Sequence, residues 1–276
     1  MADGALTPLR PTGGRAGAFR GDVLEGLHLL WKLPAFLRRR LTPERARDVL
    51  RRRLAERGTD FLTLARTAIY GNPASPYRQL LAAAGCEYGD LERMVGEHGV
   101  EGTLRVLLRH GVYLTIDEFK GRRPVVRGGT TIAVDPPRLR NPGSAAHLWS
   151  QTSGSRGART PVPIDLRFVE DAAVNVLLAL VARGALDWHL GYWDVPGGTL
   201  RPLLTNAKGG ALVRRWFSPV DPAAPDLHAR YRWSGRLIRM AGQLAGVPFP
   251  RPEHVPIDDP LPIARWMAHE LSGGTV

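Results

Sequence analysis

Residues 152–157 bring together the chemical groups that hold an anion. The segment reads TSGSRG and combines three hydroxyl side chains, two glycines and the guanidinium of Arg156. Glycine allows backbone N–H groups to converge on one anion, and hydroxyl groups add donors with little bulk. An arginine in such a segment can hold two phosphate oxygens at once. The residue types therefore indicate a polyphosphate site, with a solvent-exposed polar turn as the alternative.

The spacing of this segment differs from that of the common nucleotide-binding loop. The pattern G-x-x-x-x-G-K-[ST] needs a lysine and a helix that follows it directly, and residues 152–157 have neither. No cluster of cysteine and histidine has the spacing of a zinc site. The type of phosphate site must therefore be inferred from the wider sequence.

A few other side chains have types that can do chemistry. His147 and His189 are candidate bases, Asp258–Asp259 is an acidic pair that a metal could use, and Lys208 can reach an anion. For each there is a simpler interpretation. A histidine is commonly an ordinary core or surface residue, the aspartate pair suits a solvated turn, and the lysine suits an exposed turn.

Composition limits the classes of protein that need to be considered. The net charge is +12, but only three of the 38 basic residues are lysines, and the chain is rich in Ala, Gly and Pro. A GC-rich genome gives this bias without selection for nucleic acid, so we expect no nucleic-acid partner, although anionic ligands are attracted. The single cysteine, Cys86, excludes an internal disulfide and suits a reducing cytoplasm. It lies beside Glu87, which does not favour a thiolate, so we interpret it as structural.

The chain shows neither a membrane span nor a secretory signal. No run of eighteen apolar residues occurs, and the start lacks the charged-then-apolar order of a signal peptide. Together with the cysteine content, these features predict a cytoplasmic protein.

The elements around the polyphosphate segment follow from turn and periodicity signals. We predict a disordered tail over residues 1–20, a helical region over 21–125 and an α/β region over 126–276. One helix covers 22–40 and is bent or ended by Pro34, and the next runs from an N-cap at Thr42 to a C-cap at Gly58. These basic amphipathic helices either pack on their own domain, which we favour, or lie on a membrane surface.

The remaining local predictions complete the helical region and describe the α/β region. Residues 77–84, 90–100 and 101–110 are predicted helices, GVYLT a buried strand or extended segment, and IDEFKGRR an exposed stretch. VVRGGTTIAV predicts strands around a turn, PVPIDL a strand, and residues 167–186 a largely buried helix. Residues 187–219 predict short strands with hairpin turns at GGTLRP and NAKGG, and a helix ends the chain.

Several of these segments resemble one enzyme superfamily in their order. TSGSRG resembles the TSGSTG-type phosphate loop of adenylate-forming enzymes at five of six positions, with Arg156 in place of a hydroxyl residue. Upstream, Ser75–Gly85, Asp90–Leu91 and the LT-x-x-E-F-K element Leu114–Lys120 are similar to the phenylacetate–CoA ligase and LuxE-type acyl-protein synthetase branch. The resemblance covers roughly residues 60 to 180.

The resemblance implies a fold, an activity and a set of ligands. The fold would be α/β, with a helical N-terminal segment followed by part of an adenylate-forming large domain. The activity would join a carboxylate to AMP and pass the acyl group to a thiol, with ATP and Mg²⁺ as cofactors and a carboxylic acid as substrate. The residues that would contact the phosphates are Thr152, Ser153, Gly154, Ser155, Arg156 and Gly157.

The sequence also departs from the pattern of that superfamily. Three residues separate Gly157 from Pro161, and Val162 stands where a lysine is usual. We find no later aromatic-Gly-x-Thr-Glu segment, no ribose-binding aspartate motif and no C-terminal catalytic lysine, so no catalytic residue or metal ligand is assigned. We therefore expect the N-terminal part of a ligase: a fragment, a split subunit or a degenerate relative. It would be inactive without a second half and would bind a partner chain or itself. The alternative is a non-catalytic binding or interaction module that keeps the scaffold.

Overall fold

Helices and short strands alternate along the chain. The computed structural model describes residues 31–139, 148–151, 161–195, 198–221, 224, 236, 239–240 and 242–273. The helices are α1 (31–38), α2 (Pro43–Ala55), α3 (Arg57–Leu64), α4 (Pro76–Ala83), α5 (Tyr88–Arg109), α6 (Ile116–Phe119), α7 (Leu166–Ala182), α8 (Leu200–Lys208) and α9 (Leu261–Ser272). Shorter helical turns are the π-helical Ala65–Tyr70, the 3₁₀ turn Pro136–Leu139, and residues 239–240 and 242–244.

The strands form three small sheets. They are β1 (Val125–Arg127), β2 (Thr130–Ile132), β3 (Leu148–Gln151), β4 (Pro161–Ile164), β5 (His189–Trp193), β6 (Leu212–Ser218) and β7 (Pro252–His254). The pairs β1–β2 and β3–β4 are antiparallel, and the sheet β5–β6–β7 is parallel. This mixture of helices and small sheets is compatible with the predicted α/β class. None of the helices in the described ranges is long and apolar enough to cross a membrane.

The chain divides into two compact units. One unit comprises residues 48–144, and we call it the helical unit. The other comprises residues 1–47 together with 145–276, and we call it the sheet unit. The predicted boundary between the helical region and the α/β region, after residue 125, lies at the start of β1. The boundary between the two compact units lies after residue 144.

The helical unit packs α3, α4 and α5 around a core of small and branched apolar residues. Its buried members are Ala65, Leu81, Cys86, Leu91 and Leu107. Burial raises the pKa of the Cys86 thiol, as expected for the structural cysteine that the sequence indicates. Gly99 interrupts α5 with φ 66° and ψ 178°, a conformation that favours glycine, so the predicted pair of helical segments over 90–110 is confirmed.

A buried ion pair ties α6 to β1. Glu118 accepts hydrogen bonds from the Thr115 backbone N–H at 2.7 Å and from Arg127 Nη1 at 3.0 Å. The Arg127 guanidinium, with help from Thr115, lowers the pKa of Glu118 to about 2. The prediction that IDEFKGRR is exposed throughout is therefore wrong at Glu118, because the amphipathic signal of a four-residue helix is too short to identify. The GVYLT segment belongs to no strand and is half-buried to exposed.

The sheet unit places its main core on one face of the parallel sheet. Helices α1, α7 and α8 pack there with β6; the buried members are Leu33, Leu37, Leu166, Val169, Leu200, Leu203, Leu204, Ala207, Trp216 and Phe249. The burial of Leu33 and Leu37 agrees with a helix packed on its own domain. Because α8 connects β5 to β6, these two strands can run parallel.

Other local predictions need correction. Of the two alternatives for Pro34, ending the helix is wrong, because Pro34 lies inside α1. Gly58 lies inside α3, since α2 already ends at Ala55, so it is not a C-cap. The hairpin turns predicted at GGTLRP and NAKGG are wrong. GGTLRP contains the first residues of α8, and NAKGG contains its last residues and the two glycines that follow it. Helix α7 buries one stripe, including Ala173, Val174 and Leu177, and leaves its other faces partly open.

Candidate functional site

The predicted phosphate-binding residues fall between two strands that pair with each other. In the β3–β4 pair, Gln151 is the cross-strand partner of Pro161, so the last residue of β3 stands opposite the first residue of β4. Residues 152–157, and the candidate base His147, lie outside the described residues. The strand predicted over PVPIDL is confirmed as β4 for its first four residues, whereas Asp165 is the N-cap of α7 and Leu166 is its first residue.

His189 is the predicted candidate base whose surroundings the structure describes. It begins β5, and its Nδ1 lies 2.5 Å from Glu270 Oε2 on α9. The other oxygen of Glu270 accepts a hydrogen bond from Trp266 Nε1 at 3.1 Å. A carboxylate that accepts from Nδ1–H leaves Nε2 of a neutral imidazole as the atom that can take up a proton. We call His189, Trp266 and Glu270 the α9 cluster.

Two features of the sheet allow α9 to approach it so closely. Gly191 on β5 has no side chain, and a Cβ atom there would collide with the Trp266 ring. The β5–β6 register shifts between Leu190 and Gly191, so that Gly191 pairs with Arg215. Such an irregularity re-aims the side chains that follow it. The Trp266 ring also packs against Phe217, with 5.7 Å between the ring centroids.

Arg215 adds a fixed positive charge beside this cluster. Its Nε donates to Glu253 Oε1 on β7 at 2.9 Å, and its Nη2 donates to Glu253 Oε2. The Glu253 carboxylate raises the pKa of Arg215 above its usual value, so the guanidinium is charged at every physiological pH.

An open cleft of about 540 Å³ lies between β6 and α9. It is lined by Arg215, Pro262, Arg265, Trp266, His269 and Glu270. An indole ring with guanidinium groups near it suits a flat anionic molecule. Both carboxylate oxygens of Glu270 are engaged, and His189 does not line the cleft. The geometry therefore suits weak anion binding better than proton transfer, and the α9 cluster serves mainly to attach α9 to the sheet.

The carboxyl ends of parallel strands are the usual place for a ligand in an α/β sheet. Here the polar groups at that edge bind one another. The Asp194 carboxylate accepts from the Val195 N–H at 2.7 Å just before α8, and the Ser218 hydroxyl donates to Val220 O at 2.5 Å. Trp193 Nε1 donates to Val255 O at 3.2 Å. The Trp193 bond joins the end of β5 to the residue that follows β7, and the other two bonds are local to the ends of their own strands.

Lys208 is the clearest correction among the candidate residues. It is not an exposed turn lysine: it is the last residue of α8, and only 3% of it is exposed. Its Nζ donates to the carbonyls of Phe36 at 3.1 Å and Arg39 at 2.6 Å, and pairs with Glu170 at 3.3 Å. The lysine thus caps the end of α1 and is committed to the fold.

The acidic pair keeps its simpler interpretation. Asp258 and Asp259 are exposed in the turn before α9, and Asp259 Oδ1 accepts from the Leu261 N–H at 3.3 Å. Within the part of the chain that the structure describes, no three His, Cys, Asp or Glu side chains converge as a metal site would require.

The sequence did not point to Glu270, Trp266, Arg215 or Arg265. Trp266 and Glu270 stand four residues apart on the last helix, a spacing that places them on one face. This spacing could have indicated that the two side chains lie together on one face of the helix. It could not have indicated the contact of Glu270 with His189, which is far away in the sequence.

No family model matches the chain, and neither a curated protein nor a solved structure matches it significantly.

Proposed function

We propose that this chain is the N-terminal, nucleotide-binding part of an ATP-dependent carboxylate-activating ligase and is incomplete alone. The observation that carries the proposal is the position of TSGSRG. The segment belongs to the connection, residues 152–160, between the antiparallel strands β3 and β4. Helix α7 begins directly after Asp165. Its residue types and its resemblance to the phosphate loop of adenylate-forming enzymes supply the chemical part of the argument.

The reaction would need positioning and charge compensation more than covalent participation by the protein. A carboxylate oxygen would attack the α-phosphorus of ATP. The bond from that phosphorus to the bridging oxygen would break, and pyrophosphate would leave with the electron pair. Hydroxyl groups, backbone amides and the Arg156 guanidinium are suited to hold the β- and γ-phosphates while this charge moves.

The residues of this chain suit ATP better than they suit Mg²⁺. The donors of residues 152–157 suit the phosphates of ATP in type and number. Mg²⁺ prefers carboxylate and water oxygens, and in the described ranges no three His, Cys, Asp or Glu side chains converge. No metal ligand is assigned among these residues.

The test is calorimetric titration of the chain and its Arg156→Ala variant with ATP, with and without Mg²⁺, at one salt concentration. A charge-assisted hydrogen bond contributes roughly 1.5–3 kcal/mol. The substitution should therefore weaken binding about ten- to a hundred-fold. Arg183→Ala is the matched control, since Arg183 is an exposed arginine that follows α7. Equal affinities for the parent and Arg156→Ala, or no binding at millimolar nucleotide, would contradict the proposal.

A second assay separates binding from catalysis. Exchange of labelled pyrophosphate into ATP with a panel of carboxylic acids should stay at background for the chain alone. Robust exchange would show a complete ligase and overturn the claim that a second half is needed.

The alternative is a non-catalytic binding module that keeps the scaffold. What favours it is that His189 and Glu270, two groups able to move protons, bind each other, and that Glu270 also accepts a hydrogen bond from Trp266. Nucleotide binding without exchange, even after the products of adjoining reading frames are added, would support this alternative.

A further inference from the structure

Arginine is concentrated in one short part of the chain. Residues 38–53 contain eight arginines and two carboxylates, so this segment carries a net charge of +6, which is half of the +12 of the whole chain. A genome-wide bias towards arginine would spread the charge along the sequence and does not explain such a concentration. The positive potential of the segment should therefore attract an anionic surface.

Helix α2 contains five of these arginines and packs little of its own surface. Ala46 is the buried residue of this fully described helix, whereas α1 buries Leu33 and Leu37 in the core of the sheet unit. Leu50 and Leu54 of α2 are 36% and 63% exposed. They stand four residues apart and so lie on one face. Packing on its own domain therefore accounts for α1 but not for α2.

Two arginines flank these exposed leucines. At about 100° of helical turn per residue, Arg51 lies on one side of the Leu50–Leu54 pair and Arg53 lies on the other. Arg51 Nη2 lies 2.9 Å from Asp48 Oδ1, but both side chains are mostly exposed. Such a pair contributes little to stability, so Arg51 can take up another anion. We call Leu50, Arg51, Arg53 and Leu54 the α2 basic face.

We propose that the α2 basic face binds an anionic membrane surface, with the helix axis parallel to the membrane. The two leucines enter the boundary between headgroups and acyl chains, and the flanking guanidiniums meet the lipid phosphates. The proposal rests on the charge and exposure of α2 and does not depend on the proposed ligase function.

Other anionic partners would use only part of this surface. A nucleic acid presents mainly its phosphates to arginine, which leaves the exposed leucines without an apolar contact. Two leucines are also too few for a stable protein interface, which buries roughly 800 Å² per partner. A membrane surface offers apolar acyl chains to the leucines and attracts every arginine that lies within about one Debye length of it.

The binding should require anionic lipid. Each basic residue near a negatively charged membrane contributes roughly a fivefold gain in affinity, and two leucines alone add too little to hold the chain. We therefore expect binding to vesicles with about 30% phosphatidylserine and no measurable binding to vesicles of phosphatidylcholine alone. Binding should weaken as salt rises from about 50 to about 500 mM, because salt screens the attraction.

Co-sedimentation of the full chain with vesicles tests the electrostatic part of the proposal. Combining Arg51→Gln with Arg53→Gln should weaken binding to the phosphatidylserine vesicles about twenty- to thirtyfold. Glutamine favours a helix, so α2 should stay folded. Arg78→Gln combined with Arg183→Gln is the matched control, since it removes the same charge at two other exposed positions. Equal binding to neutral and anionic vesicles, no binding to either, or equal loss in both double variants would overturn the proposal.

The leucines distinguish a membrane from other polyanions. Leu54→Gln keeps the charge and should weaken vesicle binding about tenfold. Leu271→Gln makes the same change on α9 at a position of similar exposure, 59%, and should leave binding unchanged. If Leu54→Gln binds the vesicles as tightly as the parent, α2 is only a basic surface of the kind that also binds nucleic acid, and the membrane proposal is wrong.

A fluorescent label tests the orientation of the helix. The native Cys86 is buried and should not react, so an environment-sensitive dye can be attached at Leu54→Cys or at Arg52→Cys. These positions lie about 160° apart around the helix. Anionic vesicles should shift the emission of the dye at 54 to shorter wavelength and leave the dye at 52 nearly unchanged. Equal shifts at both positions, or a shift at 52 alone, would refute the proposed orientation.

Discussion

Removing the buried charge of Lys208 should release the end of helix α1. The change is Lys208→Met, which keeps an apolar stem of similar length and removes the ammonium group. Lys208 Nζ donates to the Phe36 and Arg39 carbonyls and lies 4.4 Å from the centre of the Phe36 ring. Without it, these two carbonyls at the end of α1 lose their donor.

The expected loss can be worked out from these contacts. Hydrogen bonds that involve a charged group contribute roughly 1.5–3 kcal/mol each, and here there are two. The ion pair with Glu170 adds little, about 0–1 kcal/mol, because that carboxylate is half exposed and regains water. Relief from burying an ammonium group offsets part of the loss. A net loss of about 2–4 kcal/mol remains, which raises the opening constant of α1 roughly thirty- to several-hundred-fold.

Hydrogen exchange measured by mass spectrometry is suited to this local effect. Peptides that cover residues 31–40 should exchange faster by that factor, while peptides of α5 should not change. Lys120→Met is the control, since Lys120 follows the short helix α6 in the helical unit. If exchange in residues 31–40 stays the same, or if α5 changes equally, Lys208 does not hold the end of α1.

Two further predictions concern Glu118 and Gly191. Because the folded-state pKa of Glu118 is lowered to about 2 from 4.5, its ion pair stabilises the helical unit fully above about pH 5, and this contribution disappears as the pH falls toward 2. Urea unfolding should therefore show Glu118→Gln less stable than the parent at pH 7 and nearly equal to it near pH 2; a pH-independent difference would contradict this. Gly191→Ala should displace the Trp266 ring and weaken the attachment of α9 by roughly 1–3 kcal/mol. Faster proteolysis within α9 and a changed tryptophan emission should report it, and unchanged proteolysis would show that the ring can move aside freely.

Local signals in the sequence were informative where one short segment determines the structure. The Gly128–Gly129 turn identifies the β1–β2 pair, and Gly184, with φ 62°, follows the end of the helix predicted over residues 167–186. Helix α8 was missed although Leu200, Leu203, Leu204 and Ala207 have helical spacing. The glycines at its two ends suggested hairpin turns, because the same residue serves as a helix stop and as a turn residue.

The surroundings of the candidate residues could not be derived in the same way. His189 and Glu270 meet across 81 positions, and Lys208 meets Phe36 across 172. Such contacts depend on strand order and register, which are set by packing of the whole unit rather than by any local pattern. Burial of Lys208 is a further example, since its neighbours Gly209 and Gly210 suggest an exposed turn.

The parallel sheet also has a consequence for the order in which the sheet unit folds. The pair β3–β4 joins strands that are close in sequence, so its loop closes at little entropic cost. By contrast, β7 reaches β6 only after residues 219–251 have been brought round, and α9 follows β7. Contacts between distant segments form slowly. Among the described helices of the sheet unit, α9 should therefore dock last, and Glu270 should reach His189 only when the rest of the sheet is already in place.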